Sequence, residues 1–137
     1  QDHVTVIEFE IDDMTGEEIA TATEMLRKSD GVIDLVLFAG QGKKNRQTTA
    51  FRLLAKTNLA DQIMDECFAQ TSTIGLRYHV SKRRILPRSE NLDETGIQVK
   101  HATRPGGVIS TKAEHDDIVG QDLQTRRQQK YRAEFKS

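Results

Sequence analysis

A single cysteine, Cys67, leaves this chain without an internal disulfide and without a thiolate-rich zinc centre, the pattern of a protein kept in a reducing, cytoplasmic compartment. Long apolar runs are missing too. Nothing approaches the roughly 18 residues that span a bilayer, and no basic start followed by an apolar middle marks a secretory signal, so a membrane partner is not expected. Charge bias is also absent: 20 Lys+Arg stand against 21 Asp+Glu, for a formal net charge of -1. Such a balance gives no global attraction to nucleic acid, and any polyanion must be met by a local patch. There is no internal repeat, no low-complexity segment, no G-x-x-x-x-G-K-[ST] phosphate loop and no G-x-S-x-G elbow. The chain opens at "QDHV" without an initiator Met, as one piece of a longer protein would.

What remains is patterned. Thr5, Ile7, Phe9 and Ile11 alternate with Val4, Val6, Glu8 and Glu10, which predicts a strand with one buried face. Thr15 followed by Glu18 predicts a capping box, and Ile19, Ala22, Met25 and Leu26 then recur at helical spacing. "VIDLVLFA" and "TTAFRLLAK" predict two strands joined by the loop "GQGKKNRQ". A second helix is expected after a cap at Asn58 with Asp61, burying Leu59, Ile63, Met64, Cys67 and Phe68; "LRYHVSKRR" is the fourth strand. This order is that of an α+β fold, a ferredoxin-like split β-α-β unit with two helices on one face of an antiparallel sheet. It is expected over residues 1–88. Residues 89–137 read as a β-hairpin across Pro105-Gly106-Gly107 and a polar helix from Asp116 or Asp117, packed on the core or on a neighbouring subunit. The best stripe of that helix, Val119, Leu123, Arg127, Tyr131 and Phe135, is broken by Arg127.

Four clusters carry potential chemistry. "EFEIDDMTGEE" places six carboxylates at the first strand-to-helix junction. Oxygen donors of this kind suit Mg²⁺ or Mn²⁺, while a helix N-terminus also favours acidic residues for its own sake. Lys43, Lys44 and Arg46 in the hairpin loop suit a triphosphate, or equally a solvated tip. Arg77, Lys82, Arg83, Arg84 and Arg88 follow one another along the fourth strand; Arg77 and Arg83 share one face and Lys82 and Arg84 the other, so they do not all converge on one ligand. In "KAEHDD", His115 with Glu114, Asp116 and Asp117 offers either a transition-metal set or a surface ion pair.

Taken together, "EFEIDDMTGEE", "KKNR", "TSTIGLR", "RRILPR" and "KAEHDD" resemble, in this order, the C-terminal domain of the LarC family of nickel insertion proteins. The chain departs from that pattern in having Glu10 where Asn is common, Gln47 and Ala113 where Pro is common, and His115 where an aromatic is common. The resemblance implies a CTP-dependent cyclometallase that inserts Ni²⁺ into a pyridinium bisthiocarboxylic acid mononucleotide, with CTP cleaved to CMP and diphosphate in the presence of Mg²⁺ or Mn²⁺. It implies that Asp12 and Asp13, with Glu8 and Glu17 as secondary candidates, hold the cation. Lys43, Lys44 and Arg46 would grip the β- and γ-phosphates, with Arg77, Arg83, Arg84 and Lys112 as further nucleotide contacts. A homo-oligomer and an N-terminal domain of the same protein are the implied partners. The rival expectation is a non-catalytic ferredoxin-like module that senses a metal or an anionic metabolite and acts through oligomerisation.

Overall fold

In the computed structural model, residues 2–92, 96–114, 118 and 122–136 are described. The chain divides into two compact units, Gln1–Arg84 and Ile85–Ser137.

The first unit opens with strand β1 (Asp2–Ile11), whose alternation buries Thr5, Ile7, Phe9 and Ile11. Thr5, polar and buried, donates its hydroxyl to Thr57 Oγ1 at 3.2 Å, so this buried donor is satisfied. Helix α1 (Gly16–Lys28) starts as its sequence predicts: the Thr15 hydroxyl accepts from Glu18 N at 3.1 Å, and Glu18 Oε1 accepts from Thr15 N at 2.8 Å. Strand β2 (Val32–Gln41) and strand β3 (Gln47–Ala55) form the expected hairpin, with a bulge at Ile33 between the paired positions Val32 and Asp34. Helix α2 (Ala60–Gln70) buries Ala60, Ile63, Met64 and Cys67. Its start differs from expectation: a 3-10 turn over Thr57–Leu59 precedes it, and Leu59 occupies the cap position with no side-chain hydrogen bond, so Asn58 does not cap. Strand β4 (Arg77–Arg83) completes an antiparallel sheet in the order β2-β3-β1-β4. That order, with α1 joining the parallel strands β1 and β2 across the intervening β3, is the ferredoxin-like arrangement.

The core lies between this sheet and the two helices. The rings of Phe9 and Phe51, direct cross-strand partners, stack at 4.8 Å, among Ile7, Leu26, Leu53 and Ile63. Burial pushes the Cys67 thiol up to about 12, which keeps it protonated and makes it a core group rather than a reactive one. Phe68 departs from the predicted stripe and is exposed. The α1-to-β2 turn depends on Gly31, whose φ of +91° lies in the left-handed region and where a Cβ would stand 2.7 Å from Leu59 Cδ1 and 2.8 Å from its Cβ. Gly31→Ala is therefore expected to destabilise the fold by about 1–3 kcal/mol, read as a lowered urea midpoint with an unchanged slope.

The second unit contains three strands rather than the expected two. Strand β5 (Arg88–Leu92) pairs with β6 (Gln98–Thr103), which pairs with β7 (Ile109–Ala113), all antiparallel. All five residues of β5 are exposed, so it carries no apolar alternation for a sequence reading to catch. Helix α3 (Leu123–Lys136) packs through Ala133 into a small core with Ile97, Val99, Ala113 and Ile118. Leu123, Tyr131 and Phe135 do not enter that core; they stand exposed, with the Tyr131 and Phe135 rings 4.8 Å apart. Val119 and the expected helix start at Asp116 or Asp117 lie outside the described residues.

Candidate functional site

Strand direction brings the distant clusters of the first unit to one end of the sheet. The last residues of β1, the β2-β3 loop and the first residue of β4 all meet there, because β1 and β2 run one way while β3 and β4 return. Asp12 and Asp13 follow β1 directly. Arg46 approaches Asp12, with Nη1 to Oδ2 at 3.8 Å, and the Ser72 hydroxyl donates to Asp13 Oδ1. Beside them Arg77 holds Glu10 in a two-pronged pair, Nη1 to Oε1 at 3.0 Å and Nη2 to Oε2. That guanidinium holds the Glu10 carboxyl below the usual carboxylate range, so the pair persists from neutral pH downward until the lowered value is crossed.

The basic loop is built on strained backbone. Lys43–Asn45 lies in a tight, non-helical hairpin turn closed by Gly42 N to Arg46 O at 2.9 Å and Arg46 N to Lys43 O at 3.2 Å. Within it Lys44 and Asn45 both take φ near +58°. Asparagine tolerates this region; lysine adopts it only at a cost of about 1–2 kcal/mol, the kind of strain that clusters at ligand-binding loops. Among the described residues no carboxylate lies within ion-pair reach of Lys43 or Lys44. The loop thus carries two cations with no ion-pair partner among the described residues.

Other predicted positions lie elsewhere. Glu8 is on the sheet face turned away from the helices, level with Arg52 and Arg77. Glu17 stands in the first turn of α1 and lines a hollow of about 370 Å³ with Met14, Glu18, Thr21 and Gln70. Arg83 sits at the opposite end of β4, where its guanidinium pairs with Asp2, and Arg84 follows it, exposed. Lys112 belongs to β7 in the second unit, level with Lys100. His115, Asp116 and Asp117 lie outside the described residues. Among the described residues no three His, Cys, Asp or Glu side chains converge closely enough to hold a metal by themselves. Two adjacent carboxylates, Asp12 and Asp13, are nonetheless the number that Mg²⁺ takes from a protein when water and ligand oxygens fill the rest of its octahedron.

A family model described as nickel insertion protein matches residues 1–127. The chain belongs to the nickel insertion protein family. Proteins named for nickel insertion from Archaeoglobus fulgidus and Rhodopirellula baltica are 30% and 32% identical to it over 126 and 120 residues, 86% and 85% of this chain. The chain spans about 30% of the length of these curated relatives. Among solved structures, it is similar to LarC2, the C-terminal domain of a cyclometallase involved in the synthesis of the NPN cofactor of lactate racemase. The TM-score is 0.76 at 30% identity, over 93% of this chain and 86% of that one. Protein MK0293 from Methanopyrus kandleri shares the fold at a TM-score of 0.63 and 19% identity. The resemblance carried by the five sequence motifs is thereby borne out, and so is the α+β class.

Sequence reasoning missed Ser72 as a partner of Asp13, because 59 residues separate them. It also cast Glu10 only as an acidic oxygen, whereas its carboxylate fixes the direction of Arg77.

Proposed function

We propose that this chain is the CTP- and divalent-cation-binding part of a nickel insertase that forms the nickel-pincer nucleotide from pyridinium-3,5-bisthiocarboxylic acid mononucleotide, cleaving CTP to CMP and diphosphate. Membership of the nickel insertion family sets the field, and one observation carries the nucleotide reading. Asp12 and Asp13 meet Arg46, Ser72 and the Arg77–Glu10 pair at one end of a sheet, beside Lys43 and Lys44, which have no ion-pair partner among the described residues.

In this reading Asp12 and Asp13 hold Mg²⁺ or Mn²⁺, which supplies charge neutralisation at the phosphates when bound. Lys43, Lys44 and Arg46 hold the β- and γ-phosphates and neutralise diphosphate as it leaves; no protein nucleophile is required. The free N–H groups of Arg77 face the α-phosphate region. Asp12 gives up Arg46 when the complex binds, the carboxylate turning to the cation and the guanidinium to phosphate. Ni²⁺ and the pincer mononucleotide are substrates. The remainder of the longer protein, including its N-terminal domain, contributes what these residues lack, and the exposed Leu123, Tyr131 and Phe135 on α3 offer a surface for self-association.

Calorimetric titration with the four nucleoside triphosphates, with and without Mn²⁺, tests this directly. The expected result is a preference for CTP that requires the cation. Equal affinity for all four, or indifference to Mn²⁺, returns the chain to the non-catalytic sensing module. Lys43→Ala and Arg46→Ala are each expected to weaken Mn²⁺-CTP by about 1–3 kcal/mol, the worth of a charged hydrogen bond, while leaving thermal unfolding unmoved because both side chains are solvent-exposed.

A further inference from the structure

Arg77 has two carboxylates beside it on its own face of the sheet. Glu8 stands directly opposite it across the β1-β4 ladder, yet no ion pair joins the two; the guanidinium reaches two residues further along β1 and takes both oxygens of Glu10. That turns it toward the strand end where Asp12 and Asp13 follow. Glu10 has no residue of β4 directly across from it, because the ladder stops at Arg77, and its opposite number on β3 is the small Ala50. The Arg77 and Glu10 side chains are 62% and 45% exposed, so the pair adds little to the stability of the sheet. Its consequence is a carboxylate fixed beside the proposed phosphate site.

Two arginines at this end are held by carboxylates, but the two holds differ. Asp12, as a cation ligand, releases Arg46 when the cation arrives, whereas Glu10 stands roughly 7 Å back along the chain, at about 3.3 Å per residue, and keeps Arg77. Its negative charge therefore stays in place. We infer that Glu10 is a specificity-determining residue, whose carboxylate makes the site select the cation-complexed triphosphate over the free one. The inference rests on the nucleotide reading above and extends it to the form in which the nucleotide is taken. Lys43, Lys44, Arg46 and Arg77 stand against Glu10, Asp12 and Asp13 here, which leaves a single net positive charge before a cation binds. A free triphosphate carries two more negative charges than its complex with a divalent ion, so a carboxylate within a Debye length, about 8 Å, repels the free form more strongly. Arg77, matched by Glu10, contributes its remaining N–H groups in a fixed direction and no net charge.

The test is a pair of titrations of the 137-residue chain with CTP, one in saturating Mn²⁺ and one in chelator, on the native protein, Glu10→Gln and Glu10→Asp. The native chain is expected to bind the Mn²⁺ complex far more tightly than free CTP. In Glu10→Gln, which keeps an oxygen for Arg77 but loses the charge, free CTP gains most and the ratio of the two affinities falls by about three- to tenfold. Glu10→Asp keeps the charge and holds the ratio within about twofold of native. Thermal unfolding of both variants stays native, because both partners of the pair are exposed. An unchanged ratio in Glu10→Gln overturns the inference and leaves Glu10 a prop for Arg77; a fall that comes entirely from weaker Mn²⁺-CTP overturns it too and makes Glu10 a cation ligand. A native chain that binds CTP in neither condition overturns the nucleotide reading itself.

Discussion

Replacing Asp12 and Asp13 together by alanine is expected to abolish the Mn²⁺-dependent part of CTP binding, a loss of about 3–6 kcal/mol if each carboxylate contributes as a charged contact. The folded state offers little resistance to the change. The Asp12 side chain is 42% exposed and its partner Arg46 is 60% exposed, so the 3.8 Å pair between them contributes little stability. Asp13 gives up one hydrogen bond from an exposed serine. The informative feature is the opposite sign expected without metal. Removing Asp12 frees Arg46 and removes negative charge from the neighbourhood of the phosphates, so metal-free CTP binds at least as tightly as to the native chain. Titrations with and without Mn²⁺ therefore converge in the double variant while they stand far apart in the native protein. If metal-dependent affinity survives in a double variant whose thermal unfolding is native, the cation is held elsewhere.

How much of this was legible beforehand follows from the range of each interaction. The Thr15 and Glu18 capping box spans three residues and was visible as a pattern of letters. The alternation of β1 predicts the burial of Thr5, Ile7, Phe9 and Ile11, because a strand's period of two is imposed by its backbone. The split arrangement of β1, α1 and β2 follows from element order alone. By contrast, the Arg77–Glu10 pair joins positions 67 apart and the Ser72–Asp13 bond positions 59 apart. Composition fixes neither; they exist only after β4 has come to lie beside β1. Arg52 and Phe38 sit in apolar-rich strands where alternation marks them as facing away from the helices, but their stacking depends on the β2-β3 register, which the Ile33 bulge shifts by one. The start of α2 was misplaced because the 3-10 turn at Thr57–Leu59 carries no capping side chain. The exposed β5 has no buried face to announce it.

Phe51→Ala is expected to destabilise the chain by about 3–5 kcal/mol, a large share of the 5–15 kcal/mol that holds a typical domain together. The ring is 1% exposed, stacks on Phe9 at 4.8 Å with 15° between planes, and is enclosed by the sheet and both helices of the first unit. Its removal loses apolar burial and the ring-ring contact, and it leaves a cavity whose walls belong to paired strands that relax poorly. Phe38→Ala supplies the contrast, since the same substitution on the opposite face touches a ring that is 45% exposed and lies under the Arg52 guanidinium. That change is expected to move stability by under about 1 kcal/mol. Urea unfolding of both variants checks the pair of values. Because Phe9 stands on β1 only three residues before Asp12, loss of its stacking partner is also expected to loosen the strand end that Asp12 and Asp13 follow. Mn²⁺-CTP is then expected to raise the midpoint of Phe51→Ala by more than CTP alone does, whereas in the Asp12 and Asp13 double variant added Mn²⁺ brings no rise beyond that of CTP alone.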